Sequence, residues 1–281
     1  MKNQLIIVRG GGDMATGVIH RLHSAGFSVL ILESARPTAI RRQVALCEAV
    51  YEGVATVEGV TAQRIESIEQ IPAVLAAGRI PLLVDEPGAC IARLHPAAVV
   101  DAILAKRNLG TRRDMAPLTV ALGPGFVAGQ DVDCVIETMR GHNLGRIIRE
   151  GAAQPNTGVP GRIGGYAAER VIHAAHTGTL AHCHEIGDVV EQGEPIAHIR
   201  NESGVFPVRA TIPGLIRGLI RDGFAVQTGL KIADIDPRRE EYANCFTISD
   251  KARTIAGSVL ELVCGFYLRE AKMGRWSPSP P

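Results

Sequence analysis

The chain has 281 residues, 46% hydrophobic and 21% charged, which is long for one domain, comfortable for two, and able to bury its cores without staples. A formal net charge of +1 and an aromatic content of 4% exclude a basic nucleic-acid footprint, a base-stacking surface and a polybasic membrane face. The six cysteines form no CxxC pair, the first apolar run (Leu5 to Val8) is too short for a signal-peptide core, and no stretch reaches bilayer-spanning length. We therefore expect a cytoplasmic location, reduced thiols, and neither nucleic acid nor membrane as partner. Cys183 is expected to be a buried small hydrophobe rather than a reactive group.

In chain order, "QLIIV" is a strand that runs into three glycines. "MATGVIHRLHSA" sets Met14, Val18, Ile19, Leu22 and Ala25 on one helical face, with Asp13 to start the helix and Gly26 to end it. "SVLILE" is a second buried strand, which completes a βαβ unit. "VATV" and "IPLLVDE" are further strands, and "HPAAVVDAILAKRN" is predicted as a helix with Pro96 in its first turn. "LTVALGPG" and "DCVIET" add two more strands. The alternation predicts an α/β fold, a Rossmann-like mostly parallel sheet over residues 1–165. It ends at a junction rich in Gly, Pro, Asn and Thr, "AAQPNTGVPGRIGG". Short strands punctuated by glycine follow over residues 166–237, an all-β module. Its halves, "TGTLAHCHEIGDVVEQGEPIAHI" and "PGLIRGLIRDGFAVQTGLKIADI", share a pattern and read as a duplication. Residues 238–281 hold a C-terminal helix, "ARTIAGSVLELVCGFYLREAKMG", and a Pro/Ser-rich tail, "RWSPSPP", predicted to be disordered.

The sharpest chemical signal is "LIIVRGGGDMATG". Gly10, Gly12 and Ala15 fit G-x-G-x-x-[G/A] between a strand and a helix, with Gly11, Asp13 and Gly17 in the same loop and Glu33 at the distance of a ribose-binding acid. The expected ligand is a nucleotide-type molecule with its phosphates on the helix N-terminus. Asp13 opposes that charge, and a glycine turn that binds nothing is the competing reading. Gly123 and Gly125 in "LGPGF" form a second glycine loop. "ETMRGHNLGR" offers Arg140 and Arg146 as an anion clamp and His142 as a candidate general acid or base, against a plain solvated loop. Asp85 and Glu86 are adjacent at a strand end and point opposite ways, which makes them a poor acid–base pair. In "GTLAHCHE", His182 and His184 share one face of a strand and Cys183 the other. They are weak metal candidates, and exposed histidines on a wet β face are the expected outcome.

Two resemblances add to this. The paired "G…IGDVV..GE.IA.I" and "A.IPGLI.GLI..G..V..G.KIADID" look like a barrel-sandwich hybrid, the fold of biotinyl and lipoyl carrier domains. The tip, at Ser203 or Gly204, has no carrier lysine, since none lies between residues 107 and 230. Over residues 4 to 270, "VRGGGDMATGV", "DAILAKRNLGT", "APLTVALGPGF", "VIETMRGHNLGR", "NTGVPG" and "GLKIADIDPR" resemble the selenium-dependent molybdenum hydroxylase system protein family. That resemblance implies an accessory role in molybdenum hydroxylase maturation, the apo-enzyme as partner, and a molybdenum-cofactor dinucleotide as ligand. It carries over Gly10, Gly12, Asp13, Gly17, Gly123, Gly125, Arg140, Gly141, His142, Gly145 and Arg146 without assigning a reaction. An NAD(P)-dependent oxidoreductase and a non-catalytic scaffold are the alternatives.

Overall fold

The computed structural model describes residues 5–158 and 161–274. The tail "RWSPSPP" and part of "NTGVPG" lie outside the described residues. The chain forms two compact units. The first takes the segment through Pro37, Leu46–Asn156 and the segment from Ile248; the second takes Thr38–Ala45 and Thr157–Thr247.

The first unit begins with β1 (Leu5–Arg9), α1 (Asp13–Ser24) and β2 (Ser28–Glu33). It continues with α2 (Ala49–Glu52), β3 (Val54–Val57), β4 (Val60–Ile65), α3 (Ile71–Ala76), β5 (Ile80–Val84) and α4 (Ile91–Leu94). Then come β6 (Ala98–Asp101), β7 (Leu118–Leu122), β8 (Val127–Ala128), β9 (Cys134–Ile136), β10 (Ile147–Ile148) and β11 (Gly151–Ala152). The chain returns to this unit for α5 (Asp250–Lys272). Nine strands make one sheet in the order β10-β9-β7-β6-β1-β2-β5-β4-β3. β1, β6 and β7 are buried along their whole length, which is why they read as unbroken apolar runs rather than alternations.

α1 lays Ala15, Val18, Ile19 and Leu22 inward at helical spacing. Its other neighbour is α5, whose Ala252, Ile255, Ala256, Val259 and Val263 form the matching stripe. The two helices touch at Gly17, where a Cβ would lie 2.8 Å from the Ala252 Cβ. Ser249 caps α5 by accepting from Ala252 N–H.

Two expectations are corrected here. "HPAAVVDAILAKRN" is not a helix. Its apolar, β-branched centre is the fully buried β6, and Leu104 and Lys106 beyond it adopt left-handed φ of 60° and 61°, which no helix accommodates. The Rossmann-like, mostly parallel α/β architecture is corrected with it. Six neighbouring pairs are parallel, but the sheet is mixed, closed by antiparallel pairs β4–β3 and β9–β10. No α-helix joins β6 to β7 or β7 to β9, and α2, α3 and α4 have only 4, 6 and 4 residues.

The second unit contains β12 (Val171–His173), β13 (Gly178–His182), β14 (Val189–Val190), β15 (Pro195–Asn201), β16 (Gly204–Arg209), β17 (Gly214–Leu219), β18 (Ala225–Val226) and β19 (Lys231–Asp236). They form two four-stranded sheets, β12-β19-β17-β14 and β16-β15-β13-β18, with antiparallel pairing throughout. The duplication is visible as an exchange. Each half keeps its long pair (β13–β15, β17–β19) and gives its short middle strand to the other half's sheet. The finding is two antiparallel sheets, which replaces the expected barrel-sandwich hybrid following a Rossmann-like domain.

Asp236 closes β19 almost out of solvent. It accepts from Arg238 Nε (2.9 Å), Arg238 Nη2 (2.7 Å), Arg238 N–H (3.1 Å) and Arg217 Nη1 (3.3 Å). Burial alone would raise this carboxyl, but the two arginines outweigh it and hold it below its ordinary value. Its stabilising contribution is therefore present above the unfolded pKa near pH 4 and is lost as pH falls through the lower folded value. Asp236→Asn should cost about 1–3 kcal/mol at neutral pH. It should also flatten the acid limb of a urea-midpoint-versus-pH curve; a variant curve parallel to wild type would contradict the arrangement.

Candidate functional site

The parallel strands of the first unit run in one direction, so their C-terminal ends gather along one edge. That edge carries the glycine loops, Glu33, Asp85, Asp101 and Glu137. Three of the four glycines around α1 are explained by packing. Gly10 has φ +96°, and a Cβ there would sit 3.0 Å from the Ala102 carbonyl oxygen. At Gly11 a Cβ would lie 3.0 Å from the Cys47 nitrogen, and Cys47 N–H donates to the Gly11 carbonyl at 2.8 Å. Gly17 admits α5. Thr16 fastens the turn: its hydroxyl donates to the Gly11 carbonyl and accepts from Leu46 N–H. Ala15 is fully buried under the helix.

Gly12 is different. A Cβ there would meet nothing within 4 Å, its φ is −70°, and it stands at the N-cap of α1, where it has no side chain to offer the first turn. The positive end of a twelve-residue helix thus has a cap residue with no side chain, followed by Asp13 in the first turn.

Glu33 does not present itself to a ribose. Its two oxygens accept from Gly11 N–H and Ser34 N–H, both at 2.7 Å. Burial pushes the carboxyl above its ordinary value despite these bonds. With Glu33 spent on the loop and Cys47 seated on Gly11, a dinucleotide loses both its acid partner and its backbone approach. The NAD(P) reading is corrected on that ground.

The second glycine loop is also packing. Gly123 (φ +79°) faces the Thr138 hydroxyl, and a Cβ at Gly125 (φ +107°) would lie 2.6 Å from Arg107 backbone. In the third stretch, Glu137 is buried and accepts from Met139 N–H (2.7 Å) and Gln154 N–H (2.8 Å). Arg140 does not wait for a ligand: its guanidinium grips Asp250 at the start of α5 with two bonds of 2.8 and 2.9 Å. His142 and Arg146 lie exposed on the turn beyond it, and Gly145 packs on Thr254. Asp85 accepts from the N–H groups of Gly88, Ala89 and Cys90, so it holds the turn into α4 rather than pairing with Glu86.

Two features escaped the sequence reading. Lys251, the second residue of α5, lies within electrostatic reach of Asp13, Glu137, Asp250 and Arg140. Burial, then the Arg140 charge, lowers its amine from the ordinary lysine value, against the three carboxylates. The available signal was scarcity: only five of the 30 basic residues are lysine. The other is a buried network at the ends of β1 and β6. Arg9 donates to the Thr111 hydroxyl and the Glu86 carbonyl, and Thr111 donates to Asp101. The signal there was a single charge ending each apolar run, "LIIVR" and "AVVD".

The histidine-rich stretch of the second unit departs from expectation. His182 is turned inward, its side chain 8% exposed, with Nε2 2.7 Å from the Ile220 carbonyl. His184 stands between Asp188 (3.3 Å) and Glu194 (3.1 Å). Cys183 is exposed, not buried, and its Sγ lies 3.1 Å from His198 Nδ1. His173 and His176 line a separate cleft, where His176 stacks on Phe206. Among the described residues no group of three or more His, Cys, Asp or Glu is placed to hold a metal ion. None of the described helices is long and apolar enough to cross a membrane.

No protein-family profile matches the chain. It is 51% identical over 259 residues to an uncharacterized protein, YqeB, of Escherichia coli strain K12, covering 92% of this chain and 47% of that protein. The chain thus spans about half the length of the curated relative it matches. Among solved structures, it is similar to the ectoine utilization protein EutE (DoeB) of Ruegeria pomeroyi (TM-score 0.28, 10% identity, 83% of this chain and 86% of that one). It is also similar to an aspartoacylase family protein of Mesorhizobium loti (TM-score 0.29, 13% identity, 83% and 84%) and to a succinylglutamate desuccinylase of a Silicibacter species (TM-score 0.26, 13% identity, 83% and 84%). None of these findings points to a selenium-dependent molybdenum hydroxylase system. The expected family, the maturation role and the molybdenum-cofactor ligand that came with it are corrected accordingly.

Proposed function

We propose that the first unit binds a small metabolite through a phosphate or carboxylate group at the amino end of α1. The observation that carries this reading is Gly12: a side-chain-free cap residue at a helix N-terminus, open to a substituent, where every neighbouring glycine is filled by packing. Helix N-termini favour anions because free N–H groups and partial positive charge converge there. Lys251 supplies a cation beside the site, and its attraction to Asp13 offsets the charge that would otherwise repel the ligand. Arg140, held by Asp250, contributes field rather than contact.

The test is calorimetry and thermal shift with inorganic phosphate, adenosine monophosphate and succinate, on wild type and two variants. A probe at about 100 times its dissociation constant stabilises by roughly 2.7 kcal/mol. Gly12→Asp places a carboxylate over the same N–H groups. It should leave the ligand-free melting temperature unchanged or slightly raised, since Asp is a better N-cap than Gly, and abolish the ligand shift. Lys251→Met should weaken binding by up to about fivefold. Silence from all three probes, or a shift that survives Gly12→Asp, overturns the reading.

A further inference from the structure

We propose that Cys183 and His198 form a nucleophilic thiol–imidazole pair on the second unit, a site for thiol–disulfide exchange with low-molecular-weight disulfides. β13 and β15 are antiparallel, with Ala181 opposite His198. The ladder continues one step past β13, where Cys183 N–H donates to the Ile196 carbonyl at 3.0 Å. There the register of β15 against β16 shifts between Pro195 and Ala197. The thiol is left exposed, with Sγ 3.1 Å from His198 Nδ1.

The surroundings favour this pair over alternatives. Directly across the sheet His198 faces Ala181 and Pro207, neither of which titrates. Among the described residues its ring has Cys183 as hydrogen-bond partner. The nearby ionisable groups are engaged with one another: His184 with Asp188 and Glu194, His182 with the Ile220 carbonyl and Glu185, and Asp222 with the His182 N–H. The other thiols are poor competitors. Cys47, Cys134 and Cys245 are buried, and burial raises each of them. Cys90 is pushed up to about 12 by burial and by Asp85. Cys264 is half-buried on α5.

In the exchange, the Cys183 proton passes to His198 Nδ1. The thiolate attacks one sulfur of the disulfide; a new bond forms to Cys183 Sγ as the original S–S bond breaks. The departing thiolate takes the proton back from His198. The departing sulfur is thereby reduced to a thiol, and Cys183 Sγ is oxidised into the mixed disulfide.

The experiment follows the reaction of the folded chain with the aromatic disulfide dithiobis(nitrobenzoate), which releases a coloured thiolate, and identifies the adduct formed with oxidised glutathione by peptide mass spectrometry. A fast phase equivalent to one thiol is expected, lost in Cys183→Ser. His198→Asn should slow it about tenfold at neutral pH. A fast phase retained in Cys183→Ser overturns the assignment. So does a fast phase that His198→Asn leaves unslowed.

Discussion

Asp101→Ala is expected to destabilise the first unit by about 3–5 kcal/mol, the cost of removing one partner from a buried charge pair. Arg9 and Asp101 are each 1% exposed and Thr111 is fully buried between them. The Arg9 guanidinium and the Asp101 carboxylate stand 3.8 Å apart, joined through the Thr111 hydroxyl. Burial raises the Asp101 carboxyl in spite of Thr111, the Arg9 charge and the Ile103 N–H. Loss of water therefore outweighs the favourable contacts at this site, and the guanidinium would bear that cost alone once the carboxylate is gone. Its remaining partners are the Thr111 hydroxyl and the Glu86 and Leu109 carbonyls, and its Nε already has none among the described residues. The double variant Arg9→Met, Asp101→Leu should recover most of the loss, because apolar groups of similar volume replace both charges. Urea unfolding followed by far-ultraviolet circular dichroism measures both; a loss below about 1 kcal/mol in the single variant would show that the pair is solvated.

Gly214→Ala is expected to cost about 3 kcal/mol or more, from overpacking together with a disfavoured backbone. Gly214 opens β17 at φ +154°, and a Cβ there would lie 2.2 Å from the Asp236 carbonyl oxygen on the paired strand β19. The obstacle is backbone, so no rotamer change relieves it. Gly12→Ala is the control, expected within about 1 kcal/mol of wild type, because its φ is negative and its surroundings are open. Equal effects at the two glycines would contradict this account.

Those two glycines show what a single sequence discloses. Both sit in glycine-bearing motifs, and both would pass as turn residues. Which one guards a backbone crossing and which one borders open space depends on residues more than twenty positions away, such as Asp236 for Gly214. The strands were legible because buried parallel strands are unbroken apolar runs and the short antiparallel ones are fenced by glycine. "AVVD" was misread because Pro96 and the apolar stretch after it suit a helix start as well as a strand. The loop of Gly10 to Gly12 was found, but Glu33 was given to a ribose when its nearest donor is the loop itself. Lys251 lies 238 residues from Asp13 in sequence, and no local pattern announces that the two share a field.

The path of the chain sets an order on its assembly. α1 is made early, yet the helix that covers it, α5, leaves the ribosome only after the whole of Thr157–Thr247. The second unit can therefore complete its strand exchange while the first still waits, its α1 stripe and the notch at Gly17 exposed to whatever chaperone is at hand. Closing that gap is a long-range contact with a correspondingly slow step. Substitutions in α5 should accordingly report on the yield of native protein during synthesis more strongly than their effect on equilibrium stability would suggest.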